Sequence, residues 1–151
     1  MVDTREDVLA RLVEIAATIP NIKSAQRNNI DISEDQLPFA VVLDGDEETD
    51  DIDDRSMRPP HRPTLARMTP QIVLAQQSAE PGSDLSTLRR ELIRRVLTDT
   101  ELNEQIVKTG RHGNGAIRYL GYETDLGWGR LMLGRMVVRF MLKYSLKPED
   151  L

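Results

Sequence analysis

The chain of 151 residues contains no cysteine, which excludes disulfides, thiolate zinc sites and a cysteine nucleophile. That absence is compatible with any cellular compartment. Only two histidines are present, His61 and His112. Both stand among Arg, Gly or Pro residues, with no neighbour spaced like a metal ligand or a catalytic relay. Aromatic residues make up 4% of the chain, too few for a platform on which single-stranded nucleic acid stacks. No run approaches the length of about 18 uninterrupted apolar residues that a membrane-spanning helix needs. Met1 is followed at once by Asp3, Glu6 and Asp7, without a basic start and apolar run, so no secretory leader is expected. There is no G-x-S-x-G elbow, no P-loop and no G-x-G-x-x-G turn.

What is present is a strong separation of charge. Eight carboxylates and no base lie between Asp44 and Asp54, and removing those eight from a net charge of −5 leaves the rest of the chain at about +3. A mildly basic body therefore carries one acidic arm. Asp44, Asp46 and Glu48 fall at positions one, three and five of an EF-hand-like spacing. Thr49 stands where that loop requires glycine, and no helix-loop-helix pattern surrounds it, so no metal site is expected. Such crowded carboxylates repel one another, which favours an extended arm until cations or a basic partner neutralise it.

The most regular apolar pattern is GRMVVRFMLKYSL, Gly134 to Leu146. Met136, Val138, Phe140, Leu142, Tyr144 and Leu146 alternate with Arg135, Val137, Arg139, Met141, Lys143 and Ser145, the period of two of a strand with one buried face. At about 3.3 Å per residue it spans roughly 40 Å, enough to act as the spine of a sheet. Its second face, half basic and half apolar, is unlike a fully wet one and suggests a contact surface.

The rest of the chain supplies elements to pack on that spine. Thr4 to Thr18 reads as a helix opened by Thr4 and Asp7 in a capping-box arrangement, with a broad stripe from Val8 to Ile19 and a stop at Pro20. Ile22–Arg27, Pro38–Leu43 and Leu65–Gln76 read as strands, the last with Pro70 marking an edge or a bulge. The latter two form a hairpin around a long, mobile acidic loop over 45–63, where apolar periodicity is lost. Ser83 caps a helix over Asp84–Leu97 with Leu85, Leu88, Leu92, Ile93 and Val96 as its buried stripe and Arg89, Arg90, Arg94 and Arg95 elsewhere. Thr98 or Asp99 caps a short helix through Ile106. Lys108 to Gly115 is a basic turn, and Ala116–Leu126 a strand with Ile117, Tyr119, Gly121 and Glu123 on one face. Trp128, between two glycines, is expected over the sheet end. The order is α-β-β-β-α-α-β-β in one domain, 1–151.

Several phrases along nearly the whole chain carry a resemblance: Leu43-Asp-Gly-Asp, the Met68-Thr-Pro-Gln-Ile strand, and Arg118-Tyr-Leu-Gly-Tyr-Glu-Thr-Asp-Leu-Gly-Trp-Gly. With the capped N-terminal helix, they resemble the tail terminator, or tail-completion, proteins of siphophages and prophages. The resemblance implies an α+β fold, a twisted, mostly antiparallel or mixed sheet of about four to five strands with two or three helices on one face. The order derived above fits that fold. It also implies a homo-oligomeric ring, commonly a hexamer, that sits on the head-proximal end of the virion tail, ends tube polymerisation and offers a surface to the head after assembly in the host cytoplasm. The implied partners are other copies of the chain, the tail-tube protein and a head-connector or neck protein, with no membrane and no sequence-specific nucleic acid. It implies no catalytic residue, no cofactor and no metal.

A closed ring needs two unlike, complementary surfaces on each subunit. The interface candidates are Asp46, Glu47, Glu48, Asp50 and Asp51 on the acidic arm, and Arg89, Arg90, Arg94, Arg135 and Arg139 on the basic body. Competing expectations are a head-side connector ring, an assembly factor absent from the finished particle and, remotely, a phage hydrolase or nuclease. The last needs carboxylates and a lysine fixed on a rigid sheet.

Overall fold

The computed structural model describes residues 3–29, 34–50, 64–107, 116–126 and 132–146. Its elements are α1 (Thr4–Ala17), β1 (Ser24–Arg27), a 3-10 turn (Glu34–Gln36), β2 (Phe39–Asp50), β3 (Thr64–Ser78), α2 (Pro81–Thr98), α3 (Thr100–Val107), β4 (Ile117–Leu126) and β5 (Met132–Leu146). The fold is α+β. One five-stranded mixed sheet runs in the order β1-β2-β3-β5-β4, with β1 parallel to β2 and every other pair antiparallel.

The expected face of β5 is the centre of the core. Met136, Val138, Phe140, Leu142 and Tyr144 are all buried, and they meet Ala40, Val42, Met68, Ile72 and Leu74 from β2 and β3 on the same face. The three helices close over it. Val8, Leu9, Leu12, Ile15 and Ala16 of α1, Leu85, Leu88, Leu92 and Val96 of α2, and Leu102 and Ile106 of α3 join one cluster. Each large side chain removed from water there contributes roughly 1.5–3 kcal/mol before ordering entropy is subtracted. A second, smaller cluster lies on the opposite face, where Phe39, Val41, Val73 and Ala75 pack with Leu37, Leu43 and Val137. It contains no residue of the three helices.

Several element ends differ from the sequence reading. The cap of α1 is Asp3, whose Oδ1 accepts from the Glu6 amide at 3.1 Å. Helix α2 begins at Pro81, two residues before Ser83, because proline at the first turn surrenders no needed hydrogen bond and brings a preset φ. For α3 the expectation holds in one of its two forms, since Asp99 is the cap, accepting from the Leu102 amide at 2.9 Å.

The largest correction concerns the acidic run. A loop from residue 45 is expected, but β2 continues to Asp50, paired with β3 from Asp46↔Thr69 to Asp50↔Leu65. The register slips between Leu43 and Asp46, at a bulge that uses Gly45 with φ +68°. Pairing beyond the bulge compensates for carboxylate repulsion: Arg67 Nη2 reaches Glu48 Oε2 at 2.9 Å, and the buried Tyr144 hydroxyl donates to Glu47 Oε1. Across the bulge, Pro70 occupies a gap in the pairing of β3 with both neighbours. It therefore sits in a central strand without costing a ladder bond.

A second bulge, between Tyr119 and Gly121, changes the faces of β4. Ile117 and Tyr119 lie on the helix face, opposite Leu142 and Phe140, whereas Gly121 and Glu123 lie opposite Arg139 and Val137 on the other face. The four do not share a face, because Leu120 is one extra residue in the ladder.

Candidate functional site

The sheet has two borders of different chemistry. On one, β1 pairs with β2 only from Phe39 to Val42, so the acidic half of β2 projects past it. Asp46, Glu47 and Glu48 are exposed there. At the base of the projection Asp44 is tied down: Arg27 donates from Nε to Oδ1 at 2.7 Å and from Nη2 to Oδ2 at 2.9 Å, and the same guanidinium grips Glu6 at 2.6 and 2.9 Å. These bonds from Arg27 hold the carboxyls of Asp44 and Glu6 below their ordinary range. The Asp44 carboxylate is thus committed to joining α1, β1 and β2, while those of Asp46 and Glu48 face outwards. Asp50 ends the strand, and Asp51 lies outside the described residues.

On the opposite border, Arg89 of α2 reaches towards β4. Its Nη1 donates to the Tyr119 hydroxyl at 3.2 Å, and its guanidinium carbon stands 4.8 Å from the centre of the Tyr122 ring. That is a cation–π geometry. Its Nε is buried without an acceptor, and among the described residues no carboxylate pairs with it. Arg118, on the outer strand β4, is exposed and makes no ion pair among the described residues. Arg118 is absent from the sequence-derived candidates. Its signal was available, since it is the basic residue alternating with Ile117 and Tyr119.

The other basic candidates have different settings. Arg90 is exposed on α2. Arg94 and Arg95 share Glu91 at 2.7 and 3.3 Å, and the Arg94 bond is the main reason the Glu91 carboxyl lies below its ordinary range. Arg139 Nη2 meets Glu123 Oε1 on β4 at 2.9 Å. Arg135 is exposed and stands between Ala75 and Asp125 in the ladder. The second face of β5 is therefore already part of the small second cluster through Val137, and its Arg139 is matched within the subunit. The structure does not gather the nine described candidates at one place: Asp46, Glu47, Glu48 and Asp50 lie on the projecting end of β2, Arg89, Arg90 and Arg94 on α2, and Arg135 and Arg139 on β5.

A cleft of about 390 Å³ lies between the end of α1 and α2, lined by Ile19, Pro20, Pro38, Gln76, Asp84 and Glu91 among others. Its carboxylates are engaged, Asp84 by the Ser78 hydroxyl at 2.5 Å and Glu91 by the two arginines. Among the described residues no group of three or more histidines and carboxylates is placed to hold a metal, and no helix is long and apolar enough to cross a membrane. His61, His112 and Trp128 fall outside the described residues. Searches of protein-family models and of curated proteins returned no match to the chain.

Proposed function

We propose that this chain is a structural protein of a phage virion, forming a homo-oligomeric ring, six-membered as the tail-terminator resemblance implies, on the end of the tail tube. The ring ends tube polymerisation and offers a surface to a head-connector or neck protein. The observation that supports this reading is the polarity of the sheet. One border ends in projecting carboxylates, Asp46 to Glu48, whereas the start of the other carries Arg118 and Arg89, which meets no carboxylate among the described residues, with Glu123, matched by Arg139, and Asp125 further along it. A subunit whose two sides are unlike and complementary associates head to tail, and such contacts close into rings when the rotation between copies allows. A self-complementary two-fold dimer needs no such polarity.

The test is polymerisation of the purified tail-tube protein, from the phage that encodes this chain, with and without the chain. A terminator narrows and shortens the tube length distribution as its concentration rises, and it is found at one tube end. Tubes that grow to the same lengths at every concentration would overturn the reading.

A further inference from the structure

We infer that β1 of one copy lies antiparallel along β4 of the next copy and continues its sheet, with Ser24 opposite Asp125 and Arg27 opposite Tyr122. The inference rests on the ring reading, whose subunit contact it specifies.

The two outermost strands are open and their directions agree. No described strand pairs with the outer side of β1 or of β4, and unpaired backbone groups along an edge are the usual template for adding a strand. Neither Ser24–Arg27 nor Ile117–Leu126 contains a lysine or proline that would block pairing. Beyond Arg27 the described chain turns off the edge: Asn28 takes φ +57°, and Asn29 bonds back to Gln26 Oε1 at 2.5 Å. β1 is parallel to β2, and through β3 and β5 the outer strand β4 runs antiparallel to β2. A copy that continues the sheet therefore presents β1 antiparallel to β4.

The rows of the sheet set the register. Ser24, Phe39, Ala75, Arg135 and Asp125 form one row, and Arg27, Val42, Ile72, Val138 and Tyr122 another. A neighbour at the same level sets its Ser24, Ala25, Gln26 and Arg27 opposite Asp125, Thr124, Glu123 and Tyr122, and the two members of each pair point to one side of the sheet. Away from the helices, Gln26 Nε2 donates to Ser24 Oγ at 3.1 Å, which leaves the Ser24 hydroxyl hydrogen for the Asp125 carboxylate. On the helix side, Tyr122 is 47% exposed and carries Arg89, which meets no carboxylate among the described residues. Arg27 arrives there with Asp44, Glu6 and Arg5, a cluster of no net charge whose most exposed member is Glu6. Arg89 thereby gains an acidic neighbour. Because β1 ends at Arg27, the acidic half of β2 stays two strand spacings, about 10 Å, from the start of that β4. Asp46 and Arg118 both face away from the helices across this slot, opposite Thr69 and Met141 in their own sheets. Their attraction acts without a ladder between them, and salt weakens it.

The absence of cysteine allows a disulfide test in the full chain. Facing residues of antiparallel strands have Cα atoms about 4.5–5.5 Å apart, within disulfide range. The variant Ser24→Cys/Asp125→Cys, oxidised with glutathione disulfide, should give a ladder of multimers on non-reducing electrophoresis that collapses to monomer on reduction. Ser24→Cys/Arg118→Cys moves one thiol about 20 Å along β4 and should give no ladder under the same oxidation. Circular dichroism and melting temperatures of both variants should match wild type. Sedimentation velocity of the wild-type chain, over a concentration series, should show association that weakens as salt rises. A wild type that stays monomeric throughout, a facing pair that does not crosslink, or a distant pair that crosslinks equally well would each overturn the inference. Tail length does not enter these measurements. Copies that crosslink through the facing pair yet leave tubes unshortened keep the contact and lose the terminator reading. A chain that caps tubes while the facing pair stays uncrosslinked does the reverse.

Discussion

Arg11 of α1 grips Asp99, the residue between α2 and α3, through two parallel hydrogen bonds, Nε to Oδ2 at 2.9 Å and Nη2 to Oδ1 at 2.7 Å. The same Asp99 Oδ2 accepts from the Leu102 amide and opens α3. One carboxylate therefore fixes the corner at which all three helices meet. A partly buried, bidentate pair of this kind is stronger than an exposed ion pair.

Arg11→Met should lower stability by about 1.5–3 kcal/mol, the usual range for hydrogen bonds to a charged group. Asp99→Ala should cost about 1 kcal/mol more, because it also removes the helix cap. Urea unfolding of the two single variants and the double variant measures the coupling. Costs that add without any coupling term would contradict the shared corner.

Acid should loosen the same joints. Hydrogen bonds from Arg11 and Arg27 hold the carboxyls of Asp99 and Asp44 below their ordinary values. A lowered folded-state pKa contributes stability that is complete above the unfolded value, about 4 for aspartate, and is lost as the pH falls through the folded value. Unfolding midpoints should be level from pH 7 to about pH 5 and fall below about pH 4. In Asp99→Asn the fall should be shallower. An equal fall in that variant would assign the acid sensitivity elsewhere.

Gly45→Ala should be among the most damaging exposed-site substitutions. A Cβ at that position would stand 2.0 Å from the Thr69 carbonyl oxygen, a backbone atom that cannot swing aside, and φ is +68°. The left-handed backbone alone costs about 1–2 kcal/mol for a residue with a side chain. Hydrogen exchange should show lost protection on both sides of the bulge, in β2 and β3. A variant with wild-type melting temperature would show that the bulge is not required.

The two faces of β5 should respond in opposite ways. Val138 and Phe140 are fully buried, so Val138→Asp or Phe140→Asp leaves an unpaired charge in the core and should unfold the subunit. Arg139→Glu exchanges an attraction to the largely exposed Glu123 for a repulsion, a change of about 1 kcal/mol or less. It should leave the circular dichroism spectrum unchanged. Loss of folding in the latter would mean that the second cluster depends on Arg139 as well.

The difference between those faces explains how much the sequence revealed. The alternation from Met136 to Leu146 and the stripes of α1 and α2 are burial patterns, and burial dictated the α+β layering that formed. The acidic half of β2 was not legible, because its strand conformation depends on partners remote in sequence: Arg67 for Glu48 and Tyr144 for Glu47. Leu120 hides a change of face, since a one-residue bulge leaves the composition of β4 untouched. Pro70 was readable as a bulge but not as part of a central strand, because the gap that accommodates it is made by Gly45 and the neighbouring strands. The division of Asp46–Glu48 and Arg118 between opposite borders depends on strand order, which local pattern does not contain.

The most direct test of the proposed role is electron microscopy of particles produced without this chain. A ring that ends tube growth predicts overlong tails without heads, restored to uniform length when the wild-type chain is supplied. Tails of normal length lying free beside filled or leaking heads would contradict it and place the chain on the head side of the joint.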